Sequence, residues 1–429
     1  MNGSKRKRAG TGERMQYLVH SVNDNTIRFV LRYPGLVDAQ ALRDAMLLLV
    51  GSVDVLHASF RSGRVGASWR VHREVDESSC FLHVRTAGDP AQTALSLSLT
   101  PIPPESRTQM RCFLVQSDTA SAIALCISHL CVDGSDGKYL LGKLAEAYAA
   151  VRAGRQHIEV KNGSRAAEQV YRDKELREIV SLMKSPMTGV KSTYPFPSEG
   201  DGMRRVVYRT IPAELMARAR SLAKACGASA NDLLLTACYH ALAAMPGADP
   251  DAPVSVMSMI DLRRHCAQGE SAGLSNLSGA LPTLLETGVQ GDFADTLRCI
   301  AAQTARIKED PQAGLMGMPL LHGAVRMMPM GLLTMVASRI YGSMSVGVTN
   351  LGRIDGEAMA MDGVRPDAGW FGGPLKKKPG MQVSAASFDG ACTLCIYGSY
   401  TQEDADALTA FLAQMVRCLT DYAAQALTA

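Results

Sequence analysis

The sequence lacks a strong excess of charge of either sign: 45 Lys and Arg against 41 Asp and Glu leave a formal net charge of +4 over 429 residues. The basic residues are scattered instead of lining one predicted face, which removes nucleic acid as an obvious partner. No apolar stretch is long enough for a membrane span, because the greasiest region, residues 314–340, is broken by Pro319, His322, Arg326 and Pro329. The start of the chain has no apolar signal-peptide core, tandem repeats are absent, and the glycines form no phosphate-loop pattern. Eleven cysteines, an odd number at irregular spacings, read as free thiols of a reducing compartment, so the cytoplasm is the expected location.

Apolar residues at 47% and charged residues at 20% supply a large buried core, and the length suggests more than one packed unit. Apolar periodicity predicts a mixed α/β order: helices over 38–50, 135–152 and 403–424, and strands over 110–115, 122–128, 205–211, 253–260, 279–285, 343–349 and 381–388. Asp389-Gly390 joins the last of these to a strand over 391–400 as a hairpin. Pro212 and Gly227 bracket one helix, and another follows over 230–244 with Ser229 or Asn231 at its cap. Residues 181–203 carry Pro186, Pro195 and Pro197 without periodicity and read as a linker. The expected division is a flexible basic N-terminus over 1–15, an N-terminal lobe over 16–180, that linker, and a C-terminal lobe over 204–429.

The segment with chemical content is Ser128-His129-Leu130-Cys131-Val132-Asp133-Gly134, where an apolar strand ends at a histidine and a helix begins after the Asp-Gly pair. Imidazole, with an ordinary pKa near 6.5, can take the proton of an attacking amine or hydroxyl at neutral pH. Asp133 is placed to anchor the loop through an arginine, and Gly134 to permit a tight path before the helix.

His-x-x-x-Asp-Gly at a strand-to-helix junction, with Arg111 on the preceding strand, resembles the His-His-x-x-x-Asp-Gly motif of the superfamily of condensation domains and chloramphenicol acetyltransferase. Residues 56–60 resemble its Leu-Arg-Thr-x-Phe stretch, residues 227–235 its paired helices opening the second lobe, and residues 348–352 an Asn-Leu-Gly stretch of condensation-like and alcohol acyltransferases. Asp367 to Gly372 loosely echo a plant acyltransferase motif. The resemblance implies an α/β fold of two chloramphenicol acetyltransferase-like lobes in one chain with a tunnel between them. It implies transfer of an acyl group from coenzyme A, or from phosphopantetheine on a carrier protein, to a small-molecule alcohol or amine. His129 is then the general base, Asp133 structural, Gly134 an oxyanion donor, Arg111 a partner for Asp133, and Ser128 and Asn350 channel residues. Ser128 stands where the first histidine is usual and His57 where an arginine is usual, departures that also suit a noncatalytic module binding a carrier protein or lipid. A monomer is expected.

Other features have plainer readings beside functional ones. Lys376, Lys377 and Lys378 could meet donor phosphates or form a solvated loop. Met316, Met318, Met327, Met328, Met330, Met335 and Met344 could line an acyl tunnel or a lid, or fill a core. Cys131 invites a Cys-His nucleophile but is set by no geometry. Cys392 and Cys395 fall on opposite faces of one strand, so no metal site is expected.

Overall fold

The computed structural model describes residues 5–64, 66–183, 192–266, 272–341 and 346–425. Two sheets dominate. The first has the order Ala368–Gly372, Thr26–Tyr33, Ser121–Ser128, Met110–Gln116, Phe81–Arg85, and the second Ser278–Leu285, Val254–Asp261, Val346–Ile354, Met381–Phe388, Ala391–Tyr400, Met203–Ile211.

Strand pleating decides what each face of the first sheet meets. Phe29, Leu31, Ile123, Leu125 and Ile127 pack with helices Ala39–Gly51 and Gly134–Arg152, contributing Leu42, Leu140 and Leu144. The alternate residues Val30, Ala124 and Cys126 pack with helix Pro90–Ser98 and with Cys395 and Tyr397 of the second sheet. The two lobes therefore meet on that face. The second sheet's other face covers helices Ala213–Ala225, Ala230–Ala243, Phe293–Glu309 and Gln402–Gln425 around Leu394, Ile396 and Leu412. Cys392 belongs to that core and Cys395 to the lobe junction, so the two thiols point apart as pleating requires.

Three sequence expectations are corrected. The basic start of the chain is not a free tail: Lys5–Arg8 pairs antiparallel with Ala67–Val71, and helix Thr11–Leu18 follows, held by Glu13 to Arg165 and Thr11 to Glu168. An edge strand needs only its backbone to pair; Arg6 Nε also donates to Ser68 Oγ at 3.0 Å and Lys7 pairs with Asp54, and the charged side chains blunt the edge. Strand Ala368–Gly372, from late in the chain, completes the first sheet against Thr26–Tyr33. The stretch read as a linker begins inside helix Leu176–Leu182, and after residues 184–191, outside the described set, Tyr194 is buried against Phe411 while Phe196 stacks on Tyr400. Its aromatics dock on the second lobe instead of spanning solvent. Of the methionine stretch, Met330 is buried and Met327 and Met335 are largely exposed, so it is not simply core; Met344 lies outside the described residues. No described helix is long and apolar enough to cross a membrane.

Candidate active site

Strand Ser121–Ser128 delivers His129 to the lobe junction, where its backbone N–H donates to the Asn25 carbonyl at 2.7 Å. Asn25 adopts φ +47°, a left-handed conformation that Asn tolerates better than most residues. The ring is gripped from the second lobe: Asn276 Nδ2 lies 2.8 Å from Nδ1 and donates to the His129 carbonyl at 3.2 Å. Asn276 Nδ2 also donates to Gln16 Oε1 at 3.3 Å, Gln16 Nε2 donates to Asn25 Oδ1 at 2.9 Å, and Asn25 Nδ2 returns a bond to the Gln16 carbonyl at 2.7 Å. Gln16, Asn25 and Asn276 thus form a chain of uncharged amides around the imidazole, each from a different segment. Burial lowers the His129 pKa below 6.5, with Asp133 opposing that and the Lys376 ammonium adding to it. The neutral imidazole is thereby favoured.

The loop after His129 is held by ion pairs. Asp133 caps helix Gly134–Arg152 through Oδ1, which accepts from the Asp136 N–H at 3.0 Å. Its Oδ2 accepts from Arg263 at 2.7 Å and from the Leu277 N–H at 2.8 Å. Arg263 donates also to Asp136 at 2.7 Å, and both carboxylate side chains are buried, with 3% and 1% exposure. Burial and the Asp133 charge raise the Asp136 pKa, while the carboxylates raise that of Arg263. Arg165 adds a clamp, donating to the carbonyls of Cys131 and Leu274 and pairing with Glu13. The loop carrying Ser275 and Asn276 reaches the site because Gly273 passes against the backbone of Gly163, where a Cβ would lie 2.1 Å from the carbonyl oxygen.

Arg263 therefore replaces Arg111 as the partner of Asp133. Arg111 lies opposite Cys126 in the sheet and its Nε donates to the Ser79 carbonyl at 3.1 Å. His57 is also remote from that role, its Nδ1 meeting the Val50 carbonyl at 3.0 Å. Gly134 opens the helix without a positive φ; a Cβ there would touch Leu351 at 3.4 Å and Phe371 at 3.7 Å, so the glycine does not serve a left-handed turn. That contact brings the register shift at Asn350-Leu351-Gly352, inside strand Val346–Ile354, beside the motif, with Asn350 Oδ1 accepting from the Gly352 N–H at 3.0 Å. Lys138 Nζ donates to the Leu351 carbonyl at 3.1 Å across the same junction.

Ser128 is fully buried, which removes it from an open channel wall. The three lysines do not act as one patch. Lys377 is exposed, Lys378 donates to Asp404 at 2.8 Å and to the Ser198 carbonyl at 2.7 Å, and Lys376 is turned into the lobe junction. Cys131 is buried, donates to the Val55 carbonyl, and burial pushes its thiol up to about 12, so it is no nucleophile.

No protein-family model and no curated protein matches the sequence. Solved structures do match the fold over nearly the whole chain. The first condensation domain of the calcium-dependent antibiotic synthetase superposes with a TM-score of 0.71 at 17% identity, covering 98% of each chain. A trichothecene 15-O-acetyltransferase from Fusarium sporotrichioides gives 0.70 at 14%, covering 97% of this chain and 95% of its own. Polyketide synthase associated protein 5 from Mycobacterium tuberculosis gives 0.68 at 16%, covering 97% and 98%. This chain has the two-lobed α/β fold of condensation domains and chloramphenicol acetyltransferase-like enzymes.

Proposed function

We propose that the protein is an acyltransferase in which His129 is the general base for attack of an alcohol or amine on an acyl thioester. The observation that carries this reading is an imidazole at the junction of two lobes, fixed by Asn276 from one and Asn25 from the other, where burial favours its neutral form. The base role belongs to the tautomer with the ring proton on Nδ1 and the lone pair on Nε2, in which the Asn276 amide turns its oxygen, an acceptor, toward Nδ1. As the acceptor oxygen or nitrogen bonds to the thioester carbon, its proton passes to the imidazole. The tetrahedral oxyanion then expels the thiolate, which takes that proton back from the imidazolium. The N–H of Gly134, at the open first turn of a helix, is the donor assigned to the oxyanion. Asp133, Asp136 and Arg263 position the loop and do not touch the reacting atoms.

The donor is coenzyme A or a carrier-protein phosphopantetheine, and the acceptor a small molecule. An intact-mass and free-thiol assay with short- and long-chain acyl coenzyme A, a loaded carrier protein, and pooled alcohols and amines tests this. Thiol release with acceptor acylation, lost in His129→Ala, supports it. Binding of donors without transfer from any of them would replace it with a noncatalytic binding module.

A further inference from the structure

The lobe junction beside His129 holds more buried charge than the transfer chemistry uses. Arg28 lies on the junction face of the first sheet, fully buried, with its guanidinium paired to Asp24 and stacked 5.3 Å from the Tyr397 ring centroid. Asp24 is saturated: besides Arg28 it accepts from the Thr26 N–H at 3.2 Å and the Leu375 N–H at 2.9 Å. Lys376 follows directly. Its backbone is fixed on both sides, donating to the Tyr397 carbonyl at 3.1 Å and bridging to Asn23, two residues from the Asn25 carbonyl that anchors His129. Its stem runs past Gly380, and its ammonium is close enough to oppose protonation of His129.

Among the described residues the Lys376 ammonium makes no hydrogen bond and no ion pair, and the one carboxylate that acts on it, Asp24, is committed to Arg28. Burial lowers its pKa to about 8, which leaves it mostly protonated at pH 7. A half-buried cation whose nearest carboxylate is already committed to another base is poorly compensated, and such groups cluster at ligand sites. We propose that Lys376 binds a carboxylate carried by a substrate, next to the acyl centre. A carboxylate held by an ammonium that acts electrostatically on His129 belongs to the acceptor or to the acyl group itself. This rests on the acyltransferase reading for what the ligand does, but its binding is testable apart from turnover.

The probes are small hydroxy and amino acids, each paired with its primary amide, and succinyl coenzyme A paired with acetyl coenzyme A. Calorimetric titration of the full chain gives the affinities. Wild type should favour at least one acid over its amide, or succinyl over acetyl coenzyme A, by about tenfold to a hundredfold, the range of one charge-assisted hydrogen bond. Lys376→Met should lose that discrimination while keeping its melting temperature, and Lys376→Arg should keep part of it. A preference among the free acids assigns the carboxylate to the acceptor, and one confined to succinyl coenzyme A assigns it to the acyl group. Equal affinities within every pair, or discrimination that survives in Lys376→Met, overturns the proposal. Acyl transfer that persists with neutral substrates alone would overturn it and leave the acyltransferase reading standing.

Discussion

Replacing Arg263 by Met should be among the most damaging single changes in this protein. The guanidinium makes 2.7 Å contacts to both Asp133 and Asp136, whose side chains are 3% and 1% exposed, so its removal leaves two buried like charges facing each other. Lys161, 3.4 Å from Asp136, is more exposed and cannot reach Asp133's place in the network. Breaking a buried pair of this kind costs about 3–5 kcal/mol. At roughly 2–4 °C per kcal/mol for a unit of 150–250 residues, the melting temperature should fall by about 6–20 °C. The loss should shrink as the pH drops: without Arg263 the carboxylate pKa values rise, so protonation relieves the repulsion in the folded state before it occurs in the unfolded chain. Adding Asp136→Asn should recover part of the stability at pH 7. Chemical denaturation of the three proteins at pH 7 and pH 5 measures all of this. A change of less than about 1 kcal/mol in Arg263→Met, or a loss that grows on acidification, would refute the reasoning.

Asn276→Ala should lower kcat/KM by about tenfold to a hundredfold through a loosened ring, with a stability loss near 1 kcal/mol, whereas Asn276→Asp places a carboxylate by Nδ1 and should move the base's apparent pKa upward in the pH profile. Lys378 holds Asp404 down to about 2, a stabilisation present above the carboxylate's ordinary range near 3.8 and lost as the pH falls through 2. Lys378→Met should therefore destabilise the protein at pH 7 and flatten its acid unfolding between those values, as measured by melting temperature against pH. Iodoacetamide on the folded protein should label exposed Cys226 and Cys299 and spare Cys131, read by peptide mass.

Local patterns carried most of the architecture. The alternation in 121–128, the cap at Asp133 and the helix behind it are short-range features, and Asp389-Gly390 adopts φ +47° and +83° as its hairpin turn demands. The basic residues 5–8 hid a strand because their composition is that of a solvated tail and the pairing partner lies some sixty residues away. The crossing of Ala368–Gly372 into the first sheet is likewise set by tertiary packing, and no local signal separates it from a strand of its own lobe. His129, Asp133 and Gly134 were legible because they are contiguous. Arg263, Gln16, Asn25 and Asn276 were not: Gln16 lies on helix Thr11–Leu18, Arg263 in a single 3-10 turn and the two asparagines in loops, and each joins His129 or Asp133 only through the fold. Pleat parity was the one available sign against Arg111, which shares a face with Phe113 inside the sheet while Asp133 lies beyond the strand's end.

The account stands on His129 acting as a neutral base, and the pH dependence of kcat/KM tests it most directly once a donor and acceptor are in hand. Wild type should show one ascending limb with an apparent pKa below 6.5, and His129→Gln should lose about 10²–10⁴-fold in rate together with that limb. Retention of the same limb, or of near-wild-type turnover, in folded His129→Gln would contradict it.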